Sequence, residues 1–166
     1  MMRKHLILFG SIGVLSLLIT LYSCTKAKGI NPDLAFKDYA LLDSCKNEAA
    51  FTYYKNDPNT IYPGNNNSHG TFKLKFNKIA YPALTDNGKL PLGKKFPDGS
   101  MIVKEVVSGA SLNFYALMYK RKGSWLWAEI KANGEVLYSV EKDPSLCISC
   151  HQQSGNRDLV DTFIFY

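Results

Sequence analysis

Short runs of β-branched and aromatic residues, separated by turn residues, fill most of the chain after residue 70. In "TFKLKFNK" large apolar residues alternate with polar ones, which is the period of a strand with one buried face and one polar face. After a turn-rich stretch come "SMIVKEVV", "NFYALMYKR", "SWLWAEIK" and "EVLYSV", and the Asn-Gly pair in "KANGEV" is a hairpin signal. The pattern predicts an α+β fold, in which an antiparallel β-sheet meander is flanked by helices.

A helical period precedes these strands. In "NPDLAFKDYALLDSC" Asn31 is the expected N-cap and Pro32 the first helical residue. The apolar positions that share one helical face are Leu34, Leu41, Leu42 and Cys45. Residues 57–68 are rich in Pro, Gly and Asn, so we expect a loop there. The length of 166 residues fits one domain of ordinary size.

The N-terminus has the pattern of a secretory signal. Arg3 and Lys4 precede the apolar run "HLILFGSIGVLSLLITLYSC". The alternative is a transmembrane anchor, because residues 6–22 are nearly long enough to span a bilayer. The stretch "LYSC" resembles a bacterial lipobox, so we expect residues 1–23 to be removed as a lipoprotein signal peptide and Cys24 to be lipidated. That would make the protein an exported lipoprotein on a periplasm-facing membrane.

The charge of the remaining chain excludes one class of partner. The formal net charge of +6 falls to +4 without Arg3 and Lys4. The lysines are scattered among apolar and aromatic residues, without a basic block or a nucleic-acid-binding motif. We therefore expect no nucleic-acid partner. Residues 24–31 are read as a tether and residues 32–166 as the folded domain.

The segment "LCISCHQQ" concentrates two of the four cysteines and one of the three histidines within five residues. At the C-x-x-C-H spacing, Cys147 and Cys150 can form thioethers to one haem while His151 binds its iron. A zinc site would need a fourth ligand, for which Cys45 and His69 are isolated candidates. A redox C-x-x-C normally opens a helix in a βαβ unit, and a plain disulfide would leave His151 without a role. Export agrees with covalent haem, so the motif predicts one haem c.

Four segments in order, "FPDGSMIVKEV", "YALMYKRKGSWLWAEI", "NGEVLYS" and "CISCHQQSGNRDLVDTFIF", resemble the cytochrome P-460 family, which includes the cytochromes c′-beta. The resemblance covers residues 69–165. It implies one c-type haem packed against an antiparallel sheet, often in a homodimer. Family members oxidise hydroxylamine or bind nitric oxide at a five-coordinate iron. The resemblance thus implies a small nitrogen-containing ligand, with a redox partner protein if the chain is an oxidoreductase, and leaves enzyme and gas binder open.

The sequence offers no convincing sixth ligand for the iron. Met101 and Met118 lie in strand-like runs, where packing in the core is the favoured role. His69 lies beside Gly70 at a loop–strand junction, where a hydrogen-bonding role competes with ligation. An open iron site indicates small-molecule binding or chemistry. The alternative is a membrane-tethered electron carrier.

Several side chains are candidates for the distal pocket. Glu129, Glu141 and Arg157 are the polar candidates to move protons or to stabilise a bound nitrogen oxide, and surface ion pairing is the alternative for each. Aromatic residues of the strands are candidates to cap the iron or to fill the core: Phe72, Phe76 and Phe114.

Hydroxylamine-oxidising relatives carry a lysine joined to the porphyrin edge. If the strand that starts at Thr71 continues far enough, Lys78 has the parity of its apolar residues and points to the buried face, whereas Lys73 and Lys75 point to solvent. Lys78 is then the candidate for a haem cross-link. The alternative is that the strand ends at Asn77 and Lys78 turns outward.

Overall fold

The computed structural model describes residues 36–64 and 69–165. They form an α+β fold around one six-stranded antiparallel sheet, in which the strands lie side by side in chain order. The strands are β1 (Phe51–Tyr53), β2 (Thr71–Asn77), β3 (Met101–Ser108), β4 (Ser111–Arg121), β5 (Ser124–Ile130) and β6 (Val136–Tyr138), and the helices are α1 (Asp38–Lys46), α2 (Ser145–His151) and α3 (Thr162–Phe165). The predicted meander with flanking helices is confirmed.

Both faces of the sheet are buried. The face that we call the cavity face packs apolar residues of β2 to β5 against the C-terminal segment, with Phe76, Ile102 and Trp127 at 6% exposure or less. On the opposite face, called the helix face, α1 packs against Val103, Leu117 and other residues. The polar outer face predicted for β2 is confirmed for Thr71, which is exposed, and for Lys73, which is half-buried, but it is wrong for Lys75, which is buried.

Lys75 shows the consequence of this second cover. Its side chain is fully buried on the helix face, so the expectation that it points to solvent is wrong. Lys75 Nζ lies 2.5 Å from both Glu48 Oε1 and Glu105 Oε1, and it donates to the Cys45 carbonyl at 3.0 Å. A buried ammonium is tolerated when its charge and its N–H groups are satisfied in this way.

Helix α1 starts later than the sequence predicted. The helix begins at Asp38, and residues 36 and 37 are not helical. The delayed start lets the Asp38 carboxylate accept hydrogen bonds from Val140 N and Ser139 Oγ, which ties the helix to the segment after β6. The predicted apolar face is confirmed for Leu41, Leu42 and Cys45, which are buried, and Leu34 lies outside the described residues.

The expected signal peptide, Cys24, the tether and the Asn31 cap lie outside the described residues. Within the described ranges, no helix is long and apolar enough to cross a membrane. The predicted loop is confirmed over residues 57–64, whose only pairing is an isolated bridge between Tyr62 and Phe72.

The hairpin between β5 and β6 is confirmed. Gly134 has a φ of +94°, its N–H donates to the Lys131 carbonyl at 2.9 Å, and Lys131 N donates to the Glu135 carbonyl at 2.9 Å. Glycine adopts such a φ at no steric cost, which explains the Asn-Gly signal. The hairpin brings β6 to the edge of the sheet beside the C-terminal segment.

Candidate functional site

A cavity of about 260 Å³ lies on the cavity face of the sheet. Residues of β3, β4 and β5 form one part of its lining, and α2 with residues 160–162 forms another part. The three residues of the C-x-x-C-H motif, Cys147, Cys150 and His151, all line it. The structure thus brings the predicted site residues together at one cavity.

Helix α2 carries all three motif residues. Asp143 Oδ1 accepts the Ser145 N–H at 2.9 Å at the start of this short helix. Cys147 and Cys150 are three positions apart and therefore share a helix face. Cys147 is half-buried and Cys150 exposed, and neither is in a disulfide within the described part of the chain. Two unpaired thiols on one face at the mouth of a cavity can both reach one ligand.

The environment of Cys147 disfavours the redox reading and the zinc reading. Burial, together with the charge of Glu129, raises the pKa of the Cys147 thiol to about 11. Redox and zinc-binding cysteines act as thiolates and generally have a lowered pKa. Of the two candidate fourth zinc ligands, Cys45 lies on the helix face of the sheet and is not near enough, whereas His69 lines the same cavity as the motif. Among the residues described here, no group of three or more His, Cys, Asp or Glu side chains is arranged to hold a metal ion.

His151 has one ring nitrogen fixed and the other free. Its Nδ1 lies 2.8 Å from the carbonyl oxygen of Leu159. Since a carbonyl only accepts, Nδ1 carries the proton and Nε2 carries the lone pair. Burial lowers the pKa of His151, which favours the neutral ring. The ring also packs edge-on against Trp127, with centroids 4.6 Å apart. A neutral imidazole with an anchored Nδ1–H is the usual form of a histidine metal ligand.

One part of the cavity lining is polar. Lys104 and Asp161 form an ion pair at 3.2 Å, with side chains 12% and 23% exposed. Burial acts to raise the pKa of Asp161, but the Lys104 ammonium and His151 outweigh it and lower the pKa. Glu129 has no such cation, and burial raises its pKa. The lining therefore combines a paired charge with a carboxyl group that binds a proton more readily than usual.

His69 lies near His151 in the same cavity, and the two ring centroids are 6.4 Å apart. Its Nδ1 is 3.7 Å from Glu129 Oε1, which is beyond hydrogen-bond distance. Burial lowers the pKa of His69 to about 4, so the ring is neutral near pH 7 and the contact is not an ion pair. The buried Nδ1 of His69 and the buried Nε1 of Trp127 have no hydrogen-bond partner among the described residues. Unpartnered buried groups of this kind point to a ligand or water in the cavity.

Two of the three polar candidates lie outside the cavity lining. Glu129 lines the cavity, whereas Glu141 pairs with Lys37 at 2.9 Å on the surface. Arg157 donates to Asp86 Oδ2 at 2.5 Å and to the Leu90 carbonyl at 2.6 Å. These partners hold Arg157 away from the cavity.

The lysine that lines the cavity is Lys104 and not Lys78. Strand β2 ends at Asn77, whose side-chain oxygen accepts the N–H groups of Ala80 at 2.9 Å and Met101 at 3.0 Å. The Asn77 side chain thus organises a turn, and Lys78 is exposed. Lys104 pairs in register with Leu74 and so faces the cavity side of the sheet. The cross-link candidate Lys78 is therefore wrong, and the alternative that the strand ends at Asn77 and Lys78 turns outward is confirmed.

The remaining candidates are core residues. Phe72, Phe76 and the half-buried Phe114 belong to the apolar cluster on the cavity face and do not line the cavity. Met101 packs on the helix face. Met118 lies in the core and also lines the cavity.

Several residues of the lining were missed by sequence reasoning, among them Lys104, Trp127, Tyr138 and Asp161. The position of Trp127 could have been predicted from the alternation in "SWLWAEIK", because Trp127 faces the same side of the strand as Trp125 and Glu129. Asp161 carried no local signal, because its partner Lys104 is 57 positions away.

Comparisons with protein-family models, curated proteins and solved structures found no match to this chain. The function is therefore inferred from the residues that line the cavity. Two unpaired thiols at C-x-x-C spacing, a neutral histidine with a free Nε2 and a cavity with mainly apolar walls fit a covalently attached haem. The orphaned polar atoms of His69 and Trp127 fit a cavity that normally holds a ligand.

Proposed function

We propose that this protein is an exported, membrane-anchored, mono-haem c-type cytochrome that binds or oxidises small nitrogen species such as hydroxylamine or nitric oxide. The observation that carries the proposal is the convergence of Cys147, Cys150 and a neutral, anchored His151 on one cavity. The resemblance of the ordered sequence segments to the cytochrome P-460 family supports the same function.

Each motif residue has a distinct role in this proposal. Cys147 and Cys150 would hold the porphyrin through thioether bonds, and His151 would bind the iron through Nε2. When bound, the haem supplies a redox-active iron that can ligate a small molecule. The apolar side chains of Ile102 and Met118 line the cavity and limit the access of bulk water.

The polar part of the lining favours chemistry over passive gas binding. Hydroxylamine loses electrons and protons when it is oxidised, so the reaction would need a redox partner protein to take the electrons and a group in the cavity to take the protons. Glu129 lines the cavity, and its raised pKa makes it a better proton acceptor than an ordinary carboxylate. The Lys104–Asp161 ion pair lines the same cavity. An entirely apolar lining would have favoured the nitric-oxide binder.

The position of Lys104 changes the test for a haem cross-link. We propose Lys104, in place of Lys78, as the lysine to examine for a covalent bond to the porphyrin edge. A strongly red-shifted Soret band that returns to normal in Lys104→Ala, but not in Lys78→Ala, would support the enzyme. An unshifted band in the unsubstituted protein would favour the nitric-oxide binder.

The electron-carrier alternative depends on a sixth ligand. His69 is the residue that favours this alternative, because it lines the cavity and its buried Nδ1 is unpartnered among the described side chains. A six-coordinate low-spin iron that becomes high-spin in His69→Ala would establish this alternative. The same spectrum in the His69→Ala and unsubstituted proteins would remove it.

Covalent attachment can be tested with a matched set of cysteine variants. Cys147→Ala and Cys150→Ala should each reduce the haem that stays with the chain after denaturation, because each removes one thioether. Cys45→Ala is the control, since Cys45 is buried on the helix face and should leave haem retention unchanged. Equal retention in all three variants would contradict the proposal.

A further inference from the structure

A strained turn supplies the carbonyl that holds His151. Residues 157–160 form a turn in which Val160 N donates to the Arg157 carbonyl at 3.1 Å. Both central residues have positive φ, +51° at Asp158 and +65° at Leu159. Asn and Gly are the usual residues in such a pair of positions, and a bulky leucine is rare there. The surroundings must therefore hold this backbone in place.

Asp158 provides that restraint through both its carboxylate and its backbone. Lys120 Nζ on β4 donates to the two carboxylate oxygens at 2.9 and 3.0 Å. Phe96 N donates to Oδ2 at 2.9 Å, and Trp125 Nε1 on β5 donates to the Asp158 carbonyl at 2.9 Å. The side chains of Lys120 and Asp158 are only 3% and 7% exposed. The turn is thus fastened to two central strands of the sheet.

Leu159, the residue after Asp158, contacts the site directly. The carbonyl of Leu159 accepts the Nδ1–H of His151 at 2.8 Å, and that bond leaves Nε2 as the ring nitrogen with a lone pair. A positive φ is unfavourable for leucine, so the packing and hydrogen bonds of neighbouring residues must stabilise this conformation of Leu159. The orientation of His151 therefore depends on the restraint applied to Asp158.

We infer that the buried Lys120–Asp158 pair is a positioning device for His151, which holds the Leu159 carbonyl in a strained backbone conformation so that it fixes the tautomer and direction of the imidazole. The inference rests on the proposed function where it treats His151 as an iron ligand. The hydrogen bond itself exists independently of the haem and is measured separately. Lys120 and Asp158 are positioning residues and do not contact the cavity.

The test compares two buried lysines of the same sheet. Lys120→Met removes the ammonium from Asp158, and Lys75→Met removes an equally buried ammonium from the helix face. The readout in the purified full chain is the lifetime of the His151 Nδ1 proton against solvent exchange, measured by proton NMR. Where haem is present, the iron–histidine stretching frequency is a second readout.

Lys120→Met should shorten the lifetime of the proton severalfold, because the Leu159 carbonyl that accepts it is no longer held in place. It should also lower the iron–histidine stretching frequency, because a weaker hydrogen bond from Nδ1–H to the Leu159 carbonyl makes His151 a weaker electron donor to the iron. Lys75→Met should change neither readout, even though it destabilises the fold. Lys120→Gln removes the charge but keeps a donor for Asp158, so it provides a milder variant with the same direction of change if Lys120→Met does not fold.

A rescue variant separates backbone strain from a direct effect of charge. Glycine adopts a positive φ without steric cost, so Leu159→Gly in the Lys120→Met background should restore much of the lifetime. An unchanged lifetime in folded Lys120→Met, equal shortening in Lys75→Met, or no rescue by Leu159→Gly would each overturn the inference. A protein without haem that shows the predicted lifetimes would refute the proposed function and leave the positioning device standing.

Discussion

Replacement of Lys75 by methionine tests how the sheet accommodates a charge on its helix face. Methionine has a similar length but no charge, so Lys75→Met removes the ammonium without opening a large cavity. It leaves two carboxylates behind, with side chains 55% exposed at Glu48 and 12% exposed at Glu105. The Tyr53 hydroxyl continues to donate to Glu105 Oε2 at 3.0 Å.

The contacts of Lys75 determine how much stability Lys75→Met loses. Removing one partner of a buried ion pair costs about 3–5 kcal/mol, because it strands the other charge. Glu48 can return to water, and Glu105 keeps one hydrogen bond, so we expect a value near the lower end, about 3 kcal/mol. For a chain of this size each kcal/mol corresponds to about 2–4 °C, which predicts a fall in Tm of about 9 °C.

Urea denaturation of the purified protein at pH 7 measures this loss in the free energy of unfolding, provided that the variant and the unsubstituted chain show the same dependence of that free energy on urea concentration. Lys131→Met is the control, because the Lys131–Glu135 pair is 40% and 53% exposed and should contribute less than about 1 kcal/mol. Adding Glu105→Gln to Lys75→Met should recover part of the stability, since it removes the stranded charge. A Lys75→Met protein as stable as the unsubstituted chain would refute the argument that Glu105 remains ionised and buried.

Three further predictions concern other parts of the chain. Burial raises the pKa of Glu129, so its ionised form is disfavoured in the folded state and the stability of the protein falls as the pH rises through that pKa. Glu129→Gln should therefore gain stability relative to the unsubstituted chain between about pH 4 and 7. The gain should be at most about 1 kcal/mol, because the Glu129 side chain is 32% exposed. Thermal unfolding of both proteins across this pH range is the measurement, and a stability difference that does not change with pH would contradict the prediction. Gly134→Ala should cost about 1–2 kcal/mol in urea denaturation, since φ is +94° and no atom lies within 4 Å of the added methyl; no loss would show that the turn changes conformation. Mass spectrometry of the mature N-terminus should find an acylated Cys24, and retention of residues 1–23 would exclude the lipoprotein.

The order of the strands and the motif were predictable because both depend on local sequence. Alternation in "TFKLKFNK" and "SMIVKEVV" marks the strands, and C-x-x-C-H is a contiguous pattern. The burial of Lys75 was not predictable from that alternation. It depends on α1 covering the helix face and on Glu48 and Glu105, which lie far from Lys75 in the sequence.

The details of the site depend on contacts between distant segments. Asn77 ends β2 by accepting the N–H groups of Ala80 and Met101, and this removes Lys78 from the cavity side. The turn at Asp158 and Leu159 contains neither Asn nor Gly at its central positions, so its positive φ values have no sequence signal. Tertiary contacts with β4 and β5 impose that conformation.

The optical spectrum of the reduced protein, recorded with and without nitric oxide, shows whether the cavity holds a covalent haem with an open iron site. We expect the bands of a covalently held haem with a five-coordinate iron, and a change of spectrum when nitric oxide is added. A protein purified from cells that attach c-type haem but without haem bands would contradict the haem assignment. A six-coordinate low-spin spectrum that nitric oxide leaves unchanged would contradict the open iron site.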